Sequence, residues 1–236
     1  MKHAAGRDVV DVWMLHISRE PVGELARLLT TAERSHAGRF FHQRDRDRFI
    51  TVRGWLRRLL GGYLGPSDST FALEIGDQGK PAIVGQDGPD GVRFNVSHSG
   101  DLGLIAICRG REVGVDVEEI RHDFDVIELG RSCFSPDEHD GLCECPSDAR
   151  IERFFELWTA KEACIKALGS GLSTPLRDFT VCVDPARDRW LVTAREITGS
   201  ITEVRPLTVP PGYSGAVTAC GTDWQLRERD VAEWER

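Results

Sequence analysis

The chain has 236 residues and a formal net charge of −8. That is enough length for one large domain or two small ones around a sizeable core, with a composition ordinary for a soluble globular protein. The acidity argues against binding nucleic acid over a broad surface. The N-terminus has no signal-peptide apolar region, and the longest apolar runs, such as "LGLIAIC" at 102–108, are too short to cross a membrane.

"VVDVWMLHI" (9–17) alternates as an opening strand, and a helical stretch follows over 21–29. "RFFHQRDRDRFITVRGWLRRLLGGYLG" (39–65) ends in an amphipathic helix with Val52, Leu56, Leu59 and Leu60 on one face, expected to stop at Gly61-Gly62. "FALEI" (71–75) reads as a short strand and "GKPAI" (79–83) as a turn entering another. "VRFNVSHSGDLGLIAICRG" (92–110) reads as two strands around a Ser/His/Gly turn. The strand "VGVDVEE" (113–119) comes next. "FSPDE" (134–138) carries a capping box: Ser135 as cap, Pro136 in the first turn, Glu138 reaching back. A helix over 148–168 ends at Gly169. "FTVCV" (179–183), "RWLVTA" (189–194) and "SGAVTAC" (214–220) are strands, and the polar "WQLRERDVAEWER" (224–236) is expected to be a loose terminal helix.

The two halves echo each other. "RFITVRGWLRRLLGGYLG" from Arg48 resembles "RFFELWTAKEACIKALGSGL" from Arg153, and "HSGDLGLIAIC" from His98 resembles "YSGAVTAC" from Tyr213. The shared order of helix and then Gly-turn strand predicts an α/β (α+β) chain of two similar subdomains, 1–112 and 113–236, joined near 109–114. Ligand sites form at such seams.

The strand at the joint poses a physical question. Val113, Val115 and Val117 share one face, while Asp116 and Glu118 share the other. Two like charges on one face repel unless a cation sits between them. In "WTAKEACIKAL" (158–168), Trp158, Glu162 and Lys166 lie at i, i+4 and i+8, on one stripe. The chain has only four lysines, Lys2, Lys80, Lys161 and Lys166, and a compact ammonium does chemistry that a guanidinium does not. A solvated strand face and a surface ion pair are the structural alternatives for these two stretches. Together, Asp116, Glu118 and Glu162 with Lys166 as counter-charge suit an all-oxygen site for Mg²⁺ or Mn²⁺ that shares a substrate phosphate.

Other stretches offer cations and small polar groups. "FNVSHSG" (94–100) presents Asn95, Ser97, His98 and Ser99 about a glycine turn, either an anion nest or a plain hairpin with a capping His. Lys80 sits in a turn set by Gly79 and Pro81, where a lysine ordinarily faces solvent. Arg48 and Arg53 either decorate a solvated helix face with Asp45 and Asp47 or clamp a phosphate. Cys133, His139, Cys143 and Cys145 lack zinc-finger spacing. No GxGxxG, P-loop or GxSxG motif occurs. Seven cysteines, an odd number, point to reduced thiols and a cytoplasmic setting.

With these residues assembled, the chain resembles the Sfp-type 4′-phosphopantetheinyl transferases. Their signature is an aliphatic-Gly-aliphatic-Asp-aliphatic block, followed further along by Trp/Phe-small-x-Lys-Glu-Ser/Ala-x-x-Lys. It appears here as "VGVDV" (113–117) and "WTAKEACIK" (158–166) without a mismatch, and "GKP", "SHSG" and "FSPDE" occur in family order. The resemblance implies a pseudo-twofold pair of α/β subdomains with coenzyme A and Mg²⁺ in the cleft between them. It implies that Asp116, Glu118 and Glu162 ligate the metal and that Lys166 contacts the diphosphate. His98 and Arg48 would take the 3′-phosphate, Gly79, Lys80 and Pro81 would line the adenine site, and Ser97 would help hold the phosphates. Phe134 and the segment 122–142 would face a carrier protein. Members of the family place lysines before the "RFFH"-like stretch. Here 33–39 read "ERSHAGR", which leaves Arg34, His36 and Arg39 as the cations available.

The activity this implies is Mg²⁺-dependent transfer of the phosphopantetheine arm of coenzyme A to a serine of an acyl- or peptidyl-carrier protein, releasing adenosine 3′,5′-bisphosphate. Asp116, Glu162 and Lys166 would be the catalytic groups, with Glu162 or a water as base. A monomer without nucleic-acid or membrane partners is expected, and fatty-acid, polyketide and nonribosomal-peptide carriers are all open. From the residues alone, a coenzyme A or nucleotide-binding module and a metal-dependent pyrophosphate hydrolase stay open too.

Overall fold

The computed structural model describes residues 6–65, 71–76, 79–169, 174–184, 189–193 and 202–234. From the N-terminus come strand β1 (Val9–His16), helices α1 (Val22–Leu25), α2 (Thr31–Ala37) and α3 (Gln43–Leu64), and strands β2 (Leu73–Ile75), β3 (Pro81–Ile83), β4 (Val92–Ser99), β5 (Leu102–Arg109) and β6 (Val113–Glu119). Helices α4 (Val126–Cys133), α5 (Pro136–Glu144) and α6 (Arg150–Leu168) follow. Strands β7 (Thr180–Asp184), β8 (Arg189–Thr193), β9 (Thr202–Pro206), β10 (Tyr213–Cys220) and β11 (Gln225–Asp230) complete the chain. One sheet has the order β11-β1-β5-β4, a second has β6-β10-β9-β8-β7, and β2-β3 form a small hairpin.

Side-chain alternation sets the layering. In β1, Trp13 and Leu15 face one way, and with Ile105 and Ile107 of β5 they pack under Trp55, Leu56, Leu59 and Leu60 of α3. Val10 and Val12 face the other way, and with Leu102, Leu104 and Ala106 they meet Val113, Val115 and Val117 of β6 and Val217 and Ala219 of β10. The far face of the second sheet carries α6, through Ala160, Ala163 and Cys164 against Val204 and Ala216. The layers therefore run α3, first sheet, second sheet, α6. Strand β5 is buried on both faces, which is why it reads as an unbroken apolar run.

The same unit occurs twice in this α+β fold: a strand, a long helix, then a hairpin whose second strand returns antiparallel to the first. It comprises β1, α3 and β4–β5, then β6, α6 and β9–β10. The "VGVDV" glycine has a packing reason. A Cβ on Gly114 would lie 2.0 Å from the Ala163 carbonyl oxygen and 2.4 Å from the Ala167 nitrogen, so only glycine lets α6 lie this close to β6. The capping box at Ser135 and the left-handed Gly169 at the end of α6 are present as expected.

Three expectations need correction. Helix α3 does not stop at Gly61-Gly62 but runs to Leu64. A Cβ on Gly62 would meet the Trp234 ring at 2.2 Å, so that glycine serves close packing rather than termination. The 21–29 stretch is only the single turn α1 and a 3-10 turn, Ala26–Leu28, with α2 beginning after a Thr30 capping box. The polar terminus is no loose helix. Residues 225–230 form β11, parallel to β1, and a 3-10 turn, Val231–Glu233, follows. Arg227 and Arg229 of β11 pair with the buried Asp11 at 2.7 and 3.2 Å, so its charges add to the backbone pairing that holds it. This strand returns to the first sheet, although it belongs by sequence to the 113–236 half. Ala194 of the expected strand 189–194, and residues 235–236, lie outside the described residues. Among the described residues no helix is long and apolar enough to cross a membrane.

Candidate active site

Among the described residues, strand β6 hydrogen-bonds to a neighbouring strand on only one edge, that of β10. Its other edge is met by side chains of β4, spaced two residues apart. Asn95 Oδ1 accepts the Val115 N–H at 3.0 Å, Ser97 Oγ the Val117 N–H at 3.4 Å, and Ser99 Oγ the Glu119 N–H at 3.1 Å. This ladder satisfies backbone donors that an open edge would leave bare. Its two hydroxyls also aim the acids: Ser97 donates to Asp116 Oδ1 at 2.8 Å and Ser99 to Glu118 Oε2 at 2.7 Å. The expected Ser/His/Gly turn is therefore mostly strand, with the reversal confined to Gly100 and Asp101. Gly100 has φ +56°, and Tyr213 Oη accepts the Asp101 N–H at 3.0 Å.

Helix α6 lies across the acidic face and adds Glu162 and Lys166. The Lys166 ammonium donates to Asp116 Oδ1 at 2.6 Å and to Ser97 Oγ at 2.9 Å. Burial raises the Asp116 pKa in spite of that ammonium. Burial also raises Glu118, with repulsion from Asp116 added, and raises Glu162, with repulsion from Asp116 and Glu118. Glu118 and Glu162 thus feel the Asp116 charge, as two carboxyls on one strand face require.

On the other side of Lys166 lies a cleft of about 420 Å³. Its wall includes Arg48, Arg53, Pro81, Ser97, His98 and Lys166. Burial, then Arg48 and Lys166, holds the His98 pKa below its ordinary value. Arg48 also donates to the Gly100 carbonyl at 3.0 Å, which ties its guanidinium to the β4–β5 turn. Arg53 stands 3.7 Å from Glu33. Sequence reasoning did not assign Phe40, Phe49, Val52, Leu56 and Val96 to this wall, where they add apolar surface. The signal for Phe49, Val52 and Leu56 was helical spacing beside Arg48 and Arg53 on α3; Phe40, which precedes that helix, had none.

Several candidates sit elsewhere. Gly79 and Lys80 do not line the cleft. Lys80 is not solvent-facing, because its ammonium is held by Glu112, Val113 and Ala167. Arg34, His36 and Arg39 are also absent from the wall; Arg34 bonds the Leu29 carbonyl, and His36 packs on Phe40 and Phe49. Phe134 corrects an expectation. It is 3% exposed in a core with Val126, Leu142 and Phe154, so it supports the 122–142 segment and cannot face a partner. Lys161 is fully buried, with Glu138 at 2.5 Å, and ties α6 to α5.

The junction suits a hard divalent cation in charge and donor type. Three carboxylates face one ammonium, and Asp116 Oδ2 is buried without a hydrogen-bond partner. An orphaned carboxylate oxygen beside further acids and hydroxyls is an all-oxygen donor set. Among the described residues, no three acidic, Cys or His side chains converge on one point; Lys166 occupies the place beside Asp116.

The chain is similar to known proteins. Residues 112–218 match the model of the 4′-phosphopantetheinyl transferase superfamily, and residues 17–109 match that of the 4′-phosphopantetheinyl transferase N-terminal region. The chain is 32% identical over 220 residues to the 4′-phosphopantetheinyl transferase HetI of Nostoc sp., covering 92% of this chain and 90% of that one. It is 28% identical over 208 residues to the 4′-phosphopantetheinyl transferase Sfp of Bacillus subtilis, covering 88% and 89%. A solved holo-(acyl-carrier-protein) synthase from Bacillus anthracis aligns with a TM-score of 0.41 and 18% identity, covering 46% of this chain and 94% of that one. The chain belongs to the 4′-phosphopantetheinyl transferase family of enzymes.

Proposed function

We propose that the chain moves the 4′-phosphopantetheine arm of coenzyme A onto a serine of an acyl- or peptidyl-carrier protein and releases adenosine 3′,5′-bisphosphate. The observation that carries this reading is the position of Lys166, on the wall of the basic cleft and 2.6 Å from Asp116. A phosphate-binding side and an acid-bearing side meet at that ammonium.

In this reading, Arg48, Arg53 and His98 hold the nucleotide phosphates, Pro81 lines the base, and Lys166 faces the diphosphate as a point charge. The carrier serine oxygen attacks the phosphorus bearing the pantetheine. The bond from that phosphorus to the bridging oxygen breaks, and adenosine 3′,5′-bisphosphate leaves with the oxygen. Glu162 takes the serine proton, a role supported by the raised pKa that burial and its acidic neighbours give it. Mg²⁺ or Mn²⁺, held by Asp116, Glu118 and Glu162, would neutralise charge on the diphosphate. Little covalent chemistry falls to the protein, so positioning and charge dominate. The residues through 112 form the nucleotide side. Those from 113 form the acid and carrier side, apart from β11. Within 122–142, Leu129 on α4 is an exposed apolar side chain and so a better contact for a carrier than Phe134.

The test is incubation with coenzyme A, Mg²⁺ and a panel of apo-carrier proteins, read by intact mass. Transfer of the arm to at least one carrier, abolished by Glu162→Gln, is the expected result. Cleavage of coenzyme A without a carrier would mark a hydrolase instead.

A further inference from the structure

We infer that Lys80 is a positioning residue, setting Lys166 and Asp116 against each other, rather than a ligand of the nucleotide; this rests on the transferase reading above. The ammonium donates to Glu112 Oε2 at 2.7 Å, to the Val113 carbonyl at 3.1 Å and to the Ala167 carbonyl at 3.0 Å. Three donors meet three acceptors, which leaves none for a ligand. Each acceptor belongs to an element that carries site residues or borders one. Val113 opens β6, three residues before Asp116. Ala167 follows Lys166, and its carbonyl is one of the last of α6, without a partner inside the helix; a cation there also complements the helix dipole. Glu112 is further held by Arg93 of β4, at 3.0 Å, the strand that carries Ser97, His98 and Ser99. One side chain from the loop before β3 therefore registers β6, α6 and, through Glu112, β4. An arginine cannot do the same, because its planar fork does not converge on three acceptors around one point.

The test uses Lys80→Met in the full chain. Calorimetric binding of adenosine 3′,5′-bisphosphate, with no metal, reports nucleotide contacts alone, and its Kd is expected to stay within about twofold. In transfer assays kcat should fall about 30-fold or more, while KM for coenzyme A changes less than about threefold. In a Lys166→Met background, adding Lys80→Met should cost little further in single-turnover rate, because the two act through one arrangement. Lys80→Arg should not restore kcat. A tenfold or greater loss of nucleotide affinity would make Lys80 a ligand, and multiplicative effects in the double variant would reduce it to general stability; either overturns the proposal, as does an unchanged kcat. If Lys80→Met does not fold, Glu112→Met removes one of the three acceptors. It should lower kcat about threefold or more with nucleotide affinity intact, and no change in kcat would overturn the proposal equally. Failure of the wild-type chain to modify any apo-carrier would instead sink the transferase reading, and the calorimetric arm would still judge Lys80.

Discussion

Asp11 and Asp116 are the buried acids in the first strands of the two repeated units. Each lies within the first strand of its unit, each is at most 2% exposed, and each faces the layer that carries the long helix. Their surroundings differ. Asp11 accepts from Arg227, Arg229 and the Tyr63 hydroxyl, and both its oxygens are used. Asp116 has one ammonium and one hydroxyl, both on Oδ1, and its other oxygen is orphaned. A buried charge with all its partners is a structural device; one short of partners at the edge of a cleft is a group held for a ligand. Both first strands thus bury an acid on the side of their long helix, and the partners decide its use.

The comparison can be broken most directly by removing each acid. Asp116→Ala is expected to lower carrier modification by about a thousandfold or more while the folded state persists, measured by intact mass and circular dichroism. Asp11→Ala is expected to cost about 3 kcal/mol in denaturant unfolding, with residual chemistry in the folded fraction close to wild type. If the two outcomes exchanged, the contrast would fail. Gly114→Ala tests whether the acids depend on the closeness of α6. The added methyl cannot fit against the Ala163 backbone, so a loss of about 2–3 kcal/mol is expected by chemical denaturation.

Smaller effects sharpen the same contrast. Arg48→Gln, on the basic side, should raise KM for coenzyme A about tenfold with a lesser change in kcat. On the acidic side, folding raises the Glu162 pKa by burial and like charge. Any stability from this carboxyl is therefore present below its unfolded pKa and lost as pH rises through the folded value. Glu162→Gln should then raise Tm by about 2 °C near neutral pH, and the gain should fade toward pH 4 as the wild-type carboxyl protonates. A gain independent of pH would remove charge as its cause.

What sequence alone determined about this protein follows from local periodicity and local chemistry. The period of two in β6 separated Val113, Val115 and Val117 from Asp116 and Glu118, the helical period joined Glu162 to Lys166, and the Ser135 box and Gly169 marked helix ends. These signals are local because backbone geometry sets them within a few residues. The tertiary structure decided the rest. That β4 side chains would close the open edge of β6, that Lys80 would turn inward, that Phe134 would be buried and that a charged terminal stretch would pair with β1 all depend on partners far off in the chain. Burial and long-range pairing select among conformations that local pattern leaves equal, so a lysine in a turn or a polar terminus carries no mark of its fate until its acceptors are in place.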